Sequence, residues 1–133
     1  NKKNSSSSIL TSWNTNTEFR SWGKFSTLLT KPNIKVKELV IEPNQGISFQ
    51  RHLHRSEVWF IYEGSCEVYF QSDDAQKVNL LGFSSGDLFE VPVNAKHQLI
   101  NNSKSDCKII EIQFGERVDE FDIERFLYYP ETP

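Results

Sequence analysis

The chain has 133 residues, 37% hydrophobic and 25% charged, with a net charge of −3 at pH 7. That length suits one domain with a proper core, and with no basic stripe in the sequence a general nucleic-acid-binding surface is excluded. No apolar run approaches the roughly 18 residues needed to cross a bilayer, so no membrane partner is expected.

The opening stretch NKKNSSSSILTSWNTNTEF is rich in Ser and Asn. Residues 1–19 read as an N-terminal extension whose first eight residues are expected to be mobile. From Trp22 onward the pattern changes to short β-branched and aromatic runs: KFSTLLT, IKVKELVIE, GISFQRHLH, EVWFIY, CEVYF, KVNLL, DLFEVP, HQLIN and CKIIEIQF. Turn residues separate them, among them Pro43-Asn44-Gln45-Gly46, Glu63-Gly64, Ser84-Ser85-Gly86-Asp87 and Asn101-Asn102-Ser103. Many short strands at regular spacing predict an all-β sandwich or small barrel. Helical character is expected at most for a turn or two between Val118 and Phe126. Residues 20–128 form the predicted domain and 129–133 a tail. Cys66 and Cys107 lie in apolar, strand-like surroundings and are read as free buried thiols. Nothing asks for an oxidising compartment, so the cytoplasm is the default location.

Alternation assigns faces. Ser48, Gln50, His52 and His54 fall on one face of an expected strand running through His54, with Arg51 and Leu53 on the other. Glu57, Trp59 and Ile61 oppose Val58, Phe60 and Tyr62; Ile109, Glu111 and Gln113 oppose Ile110, Ile112 and Phe114. Polar and apolar side chains thus share faces that a plain sandwich would keep dry. Polar groups on an inner face cost free energy unless something pairs with them, and a ligand-lined barrel interior explains the pattern.

The chain's three histidines sit in two segments. The first reads Gly46, five residues, His52-x-His54, two residues, Glu57, six residues, Gly64; the second reads Gly86, five residues, Pro92, four residues, His97, three residues, Asn101. His52 and His54 alone are equally well exposed strand residues or half of a metal site. The two segments together resemble the signature motifs of the cupin superfamily, a double-stranded β-helix or jelly-roll barrel. That resemblance implies one divalent ion held by His52, His54, Glu57 and His97, with positions left open for water or substrate. The residue types admit Zn, Mn, Fe, Co or Ni. Two departures stand out: His54 to Glu57 is one residue tighter than the commonest spacing, and Asn94 replaces the usual second-motif glycine. Asn tolerates positive φ, so that turn is expected to survive.

Closer matching segments resemble the type II phosphomannose isomerase cupin. They are Gln50-Arg51-His52-Leu53-His54-Arg55-Ser56-Glu57-Val58-Trp59, the strand ending Glu111-Ile112-Gln113, the acidic Glu120-Phe121-Asp122-Ile123-Glu124-Arg125 and an opening Arg20-Ser21-Trp22-Gly23. The match implies metal-dependent aldose–ketose isomerisation of a sugar or sugar phosphate, and a homodimer. No nucleotidyltransferase half is present in these residues, and guanylyl transfer is not expected. The chain ends LYYPETP, without the Tyr-Gly-Arg common in the family, which leaves open an unphosphorylated sugar. A metal-dependent cupin oxygenase, a sugar epimerase and a non-catalytic sugar-binding cupin are the competing readings, since one fold hosts all of them.

Proton transfer between adjacent carbons needs a positioned base. Glu111 is the first candidate, against the alternative of a buried carboxylate bonded to Arg20 or Arg125. Lys96 is a second, against that of a solvated turn lysine. Gln50, Arg55, Gln113 and Arg125 are candidates for sugar hydroxyls or phosphate, arginine being suited to bidentate oxyanion recognition. Arg51 points away from the histidines and reads as a surface or dimer contact. Trp59 and Phe60 read as core, and ERVDEFDIER as either a lid over the barrel mouth or a solvated face.

Overall fold

The structure is a computed structural model describing residues 16–133. The expected mobile start lies outside the described residues. Among those described there are twelve strands and no helix. In chain order they are β1 (Asn16–Arg20), β2 (Gly23–Lys31), β3 (Ile34–Ile41), β4 (Gln45–Gly46), β5 (Phe49–Arg51) and β6 (Arg55–Glu63). They continue with β7 (Ser65–Gln71), β8 (Asn79–Ser84), β9 (Leu88–Val91), β10 (Lys96–Asn101), β11 (Cys107–Gly115) and β12 (Glu124–Leu127). One sheet runs β1-β2-β3-β11-β6-β9, the other β12-β5-β10-β7-β8 with β4 on β10. Every pairing is antiparallel.

The expected alternation on β6 and β11 is present: Glu57, Trp59, Ile61, Ile109, Glu111 and Gln113 are buried and their neighbours are not. The interior also changes character along three adjacent strands. β3 passes from Ile41 and Leu39 to Lys37, β6 from Ile61 and Trp59 to Glu57 and Arg55, β11 from Cys107 and Ile109 to Glu111 and Gln113, all buried. Register sets them side by side, with Glu111 between Lys37 and Trp59 and Gln113 beside Glu57. One end of the barrel is therefore an apolar core, completed by Val68 and Leu99. The other end is a polar chamber. Cys66 and Cys107 are free and buried at the apolar end, as expected.

The expected course of the strand through His54 is corrected. The strand carrying the histidine pair stops at Arg51, and residues 52–54 bend before β6 begins. The cause is non-local: the Asp122 carboxylate accepts the backbone N–H groups of Leu53 and His54, both at 2.9 Å, which drop out of any ladder. The segment 118–126 holds no helical turn; it forms turns and then β12, antiparallel to β5. There Asp119 accepts the Phe121 N–H at 3.0 Å, a side-chain bond that competes with helical pairing. Asn94 takes φ 71° and keeps the turn before His97, as expected for a residue tolerant of that region. Phe60 is another correction: its ring faces outward and is 41% exposed, whereas Trp59 is core.

Candidate functional site

At the polar end lies a cavity of about 410 Å³ whose wall includes Gln50, Arg55, Glu57, Glu111, Gln113 and Arg125. Arg20, Ser21 and Trp22 of the opening motif reach the same cavity. Behind it His52, Glu57 and His97 are all buried, with one donor atom from each within 4.8 Å of the others. Both rings are oriented by backbone carbonyls. His52 Nδ1 lies 2.8 Å from Asp122 O and His97 Nδ1 3.0 Å from Ala95 O. A carbonyl only accepts, so both protons sit on Nδ1 and both Nε2 lone pairs face inward. His52 Nε2 is 3.2 Å from Glu57 Oε2; His97 Nε2 is buried without a hydrogen-bond partner.

That orphaned acceptor, two carbonyl-oriented imidazoles and one carboxylate fit a divalent ion with open coordination positions. His54 stays outside the group. Its side chain is 38% exposed and its Nδ1 is 3.3 Å from Asp122 Oδ1. Arg55 instead closes on the cluster: Nε and Nη2 donate to Glu57 Oε2 at 3.0 and 2.9 Å, and Nη1 to Asp119 O at 3.2 Å. Burial alone would push Glu57 up; the His52 ring and the Arg55 guanidinium reverse this, and the carboxylate stays ionised. Burial lowers both histidines, His97 to about 4, against the opposing pull of Glu57.

Glu111 sits next to this group. The Trp59 indole N–H is shared between Glu57 Oε1 at 3.1 Å and Glu111 Oε2 at 3.2 Å, and Gln113 donates to Glu111 Oε1 at 2.8 Å. These bonds, and not Arg20 or Arg125, hold the carboxyl. Arg20 pairs with Glu18. Burial, then the adjacent Glu57 charge, push Glu111 up to about 8. Gln50 faces His52, its Nε2 3.3 Å from the ring Nε2. Arg125 is exposed at the cavity mouth. Lys96 is not in the cavity wall; its Nζ lies 4.5 Å over the Phe126 ring. Being next to His97 on a strand, it takes the opposite face. Arg51 points outward to Glu124 at 2.6 Å, in line with its surface reading.

Sequence reasoning missed two contributors. Lys37 is buried at the cavity wall, a lysine sharing a strand face with Leu39 and Ile41, and that pattern was legible. Asp122 positions His52 and the bend after it from about seventy residues away in sequence, a link the order of residues does not contain.

Comparison with known proteins bears on this site. The family described as "Mannose-6-phosphate isomerase C-terminal" matches residues 10–127. Mannose-1-phosphate guanylyltransferase of Escherichia coli (strain K12) is 32% identical over 108 residues, covering 81% of this chain and 21% of that protein. Alginate biosynthesis protein AlgA of Pseudomonas putida is 31% identical over 108 residues, covering 81% and 21%. The chain thus spans about a fifth of the length of these curated relatives. Among solved structures, the capsular polysaccharide assembling protein CapF of Staphylococcus aureus superposes with TM-score 0.72 at 16% identity, over 84% of this chain and 34% of that one. The Cnp3 cupin domain of Schizosaccharomyces pombe gives 0.62 at 15% identity, over 69% and 64%. These structural likenesses speak for the fold. With the family match spanning nearly all of the described barrel, the chain belongs to the mannose-6-phosphate isomerase C-terminal family, on a cupin fold.

Proposed function

We propose that the protein is a metal-dependent aldose–ketose isomerase acting on a sugar phosphate, of the mannose 6-phosphate to fructose 6-phosphate type. The observation that carries this reading is the buried His52–Glu57–His97 group, with its bare His97 Nε2, behind a cavity walled by Glu111 and several cations. Those three side chains would hold a divalent ion, which would supply charge stabilisation to sugar oxygens. The conversion moves a proton from C2 to C1 and another from the C2 hydroxyl to the C1 oxygen. Glu111 is the proposed carrier, fixed in place by Trp59 and Gln113. Gln50 and Arg55 orient sugar oxygens, and Arg125 at the mouth meets an anionic end. The cytoplasm is the proposed location, and a homodimer the proposed assembly.

Solvent-deuterium exchange at the sugar C2 in heavy water tests the reading, because it registers proton abstraction even where net turnover is slow. Metal-loaded protein is expected to exchange mannose 6-phosphate. Glu111→Gln is expected to lose about 10²–10⁴-fold in exchange rate while still binding metal. A second reading, a sugar-binding module without turnover, is favoured by Arg55, which already neutralises Glu57 without an ion. Binding of hexoses by chelator-treated protein, with no exchange in any metal-loaded sample, would select it.

A further inference from the structure

A cluster of cations lies along the cavity beside Phe25. Lys35 and Lys37 leave β3 on the same face and both donate to a single oxygen, Oε2 of Glu120, at 3.0 and 3.1 Å. The Lys37 side chain is 7% exposed, the Glu120 side chain 60%. Lys37 Nζ also lies 4.3 Å from the Phe25 ring centre, and the Arg20 guanidinium 5.0 Å from the same ring. Arg20, Lys37 and Glu120 all line the cavity. Two ammonium groups on one carboxylate oxygen leave a positive excess, and a lysine this buried needs a counter-charge.

Glu120 is not needed to tether its own segment. Val118 and Asp122 are buried on either side of it, and Asp122 is further held by the Leu53 and His54 N–H groups. Between those anchors Glu120 and Phe121 project, Phe121 with 89% of its surface exposed. The carboxylate can therefore withdraw by rotating its own side-chain torsions while the backbone stays fixed. A phosphoryl group brings about −1.5 to −2 charges and three acceptor oxygens, so each lysine gains its own partner where Glu120 makes them share one.

We propose that Glu120 is a stand-in anion: its carboxylate holds the position between Lys35 and Lys37 that the phosphoryl group of a ligand competes for, and it swings out when that group enters. Lys37, in the cavity wall, and Lys35, beside it on the same face of β3, then recognise the phosphoryl group in addition to Arg125. Glu120 sets how strongly a phosphorylated ligand is preferred to a neutral one. The inference rests on the sugar-phosphate reading only for what the phosphate is attached to.

Calorimetric titration of the full chain with inorganic phosphate tests this directly, with mannose 6-phosphate and mannose as further arms. Glu120→Gln is expected to bind inorganic phosphate about three- to tenfold more tightly, the size of one or two exposed ion pairs, and to leave mannose binding unchanged. Lys35→Met, placed on Glu120→Gln, is expected to abolish that gain. Lys35 serves here because replacing the more buried Lys37 puts the fold at risk. Unchanged or weaker phosphate binding by Glu120→Gln, or equal tightening toward mannose, overturns the inference, as does no phosphate binding by any of the proteins. If the phosphate affinities move as expected but mannose 6-phosphate binds no better than inorganic phosphate, the stand-in holds and the sugar-phosphate reading falls.

Discussion

His97 and His54 part company over the nitrogen that each ring leaves free. His97 spends Nδ1 on Ala95 O and keeps Nε2 buried and without a partner, which leaves its lone pair free to act as a ligand. His54 spends Nδ1 on the Asp122 carboxylate and leaves the rest of its ring partly in solvent. Cobalt(II) titration, read from its visible absorption, separates them. His97→Ala is expected to lose stoichiometric binding with its circular dichroism unchanged. His54→Ala is expected to weaken binding by no more than about tenfold, the low end for groups that act behind a ligand. Equal collapse in both variants would mean that the His54 ring swings in, restoring the four-ligand set that the resemblance implies.

β6 and β11, set against the end of β5, show which parts of the fold were legible and which were not. Alternation along EVWFIY and CKIIEIQF assigned the inward faces correctly because each strand pairs on both sides and its pattern is local. The same rule failed at His54, since strand period holds only while the ladder holds, and the ladder ends where Asp122 captures two backbone N–H groups. Lys96 was misjudged for a simpler reason, as its neighbour His97 already fixed its opposite direction. The turns allow a sharper test. Gly64 and Gly86 both have positive φ, 82° and 97°, yet a Cβ on Gly64 would lie 2.3 Å from Asp106 O while one on Gly86 meets nothing within 4 Å. Gly86→Ala is expected to cost about 1 kcal/mol, the strain of the conformation alone. Gly64→Ala must also move the backbone that leads into β11, and urea unfolding is expected to show at least about 3 kcal/mol lost. Similar costs at both positions would remove the backbone clash as the cause.

At the scale of the molecule, the outer face of the first sheet is unusually apolar for a surface that meets only water. Register sets Ile110 beside Phe60, and Phe60 beside Leu88, with Ile112 joining Val36 to Val58 in the next row. Phe60 is 41% and Leu88 62% exposed. A one-sided antiparallel sheet ordinarily turns polar side chains outward, and contiguous exposed apolar surface marks a contact site. Charges of both signs border this face, with Lys108 paired to Glu63 at 3.2 Å and Tyr62 bonded to Glu38. A two-fold contact is self-complementary, and an apolar face bordered by both signs can meet its own copy without like-charge repulsion, which is the ground for taking a second copy of the chain as the occupant. The cavity opens on the inner side of the sheet, so pairing through the outer face leaves it accessible. It would also stiffen β6, which carries Phe60 outward and Glu57 and Trp59 inward. Light scattering at micromolar concentration is expected to return twice the mass of the chain. Phe60→Glu, which buries an unpaired charge in the contact, is expected to weaken the dimer by about 3 kcal/mol or more while leaving cobalt binding intact. A wild-type protein that runs at the mass of one chain would leave this face unpartnered and the dimer refuted.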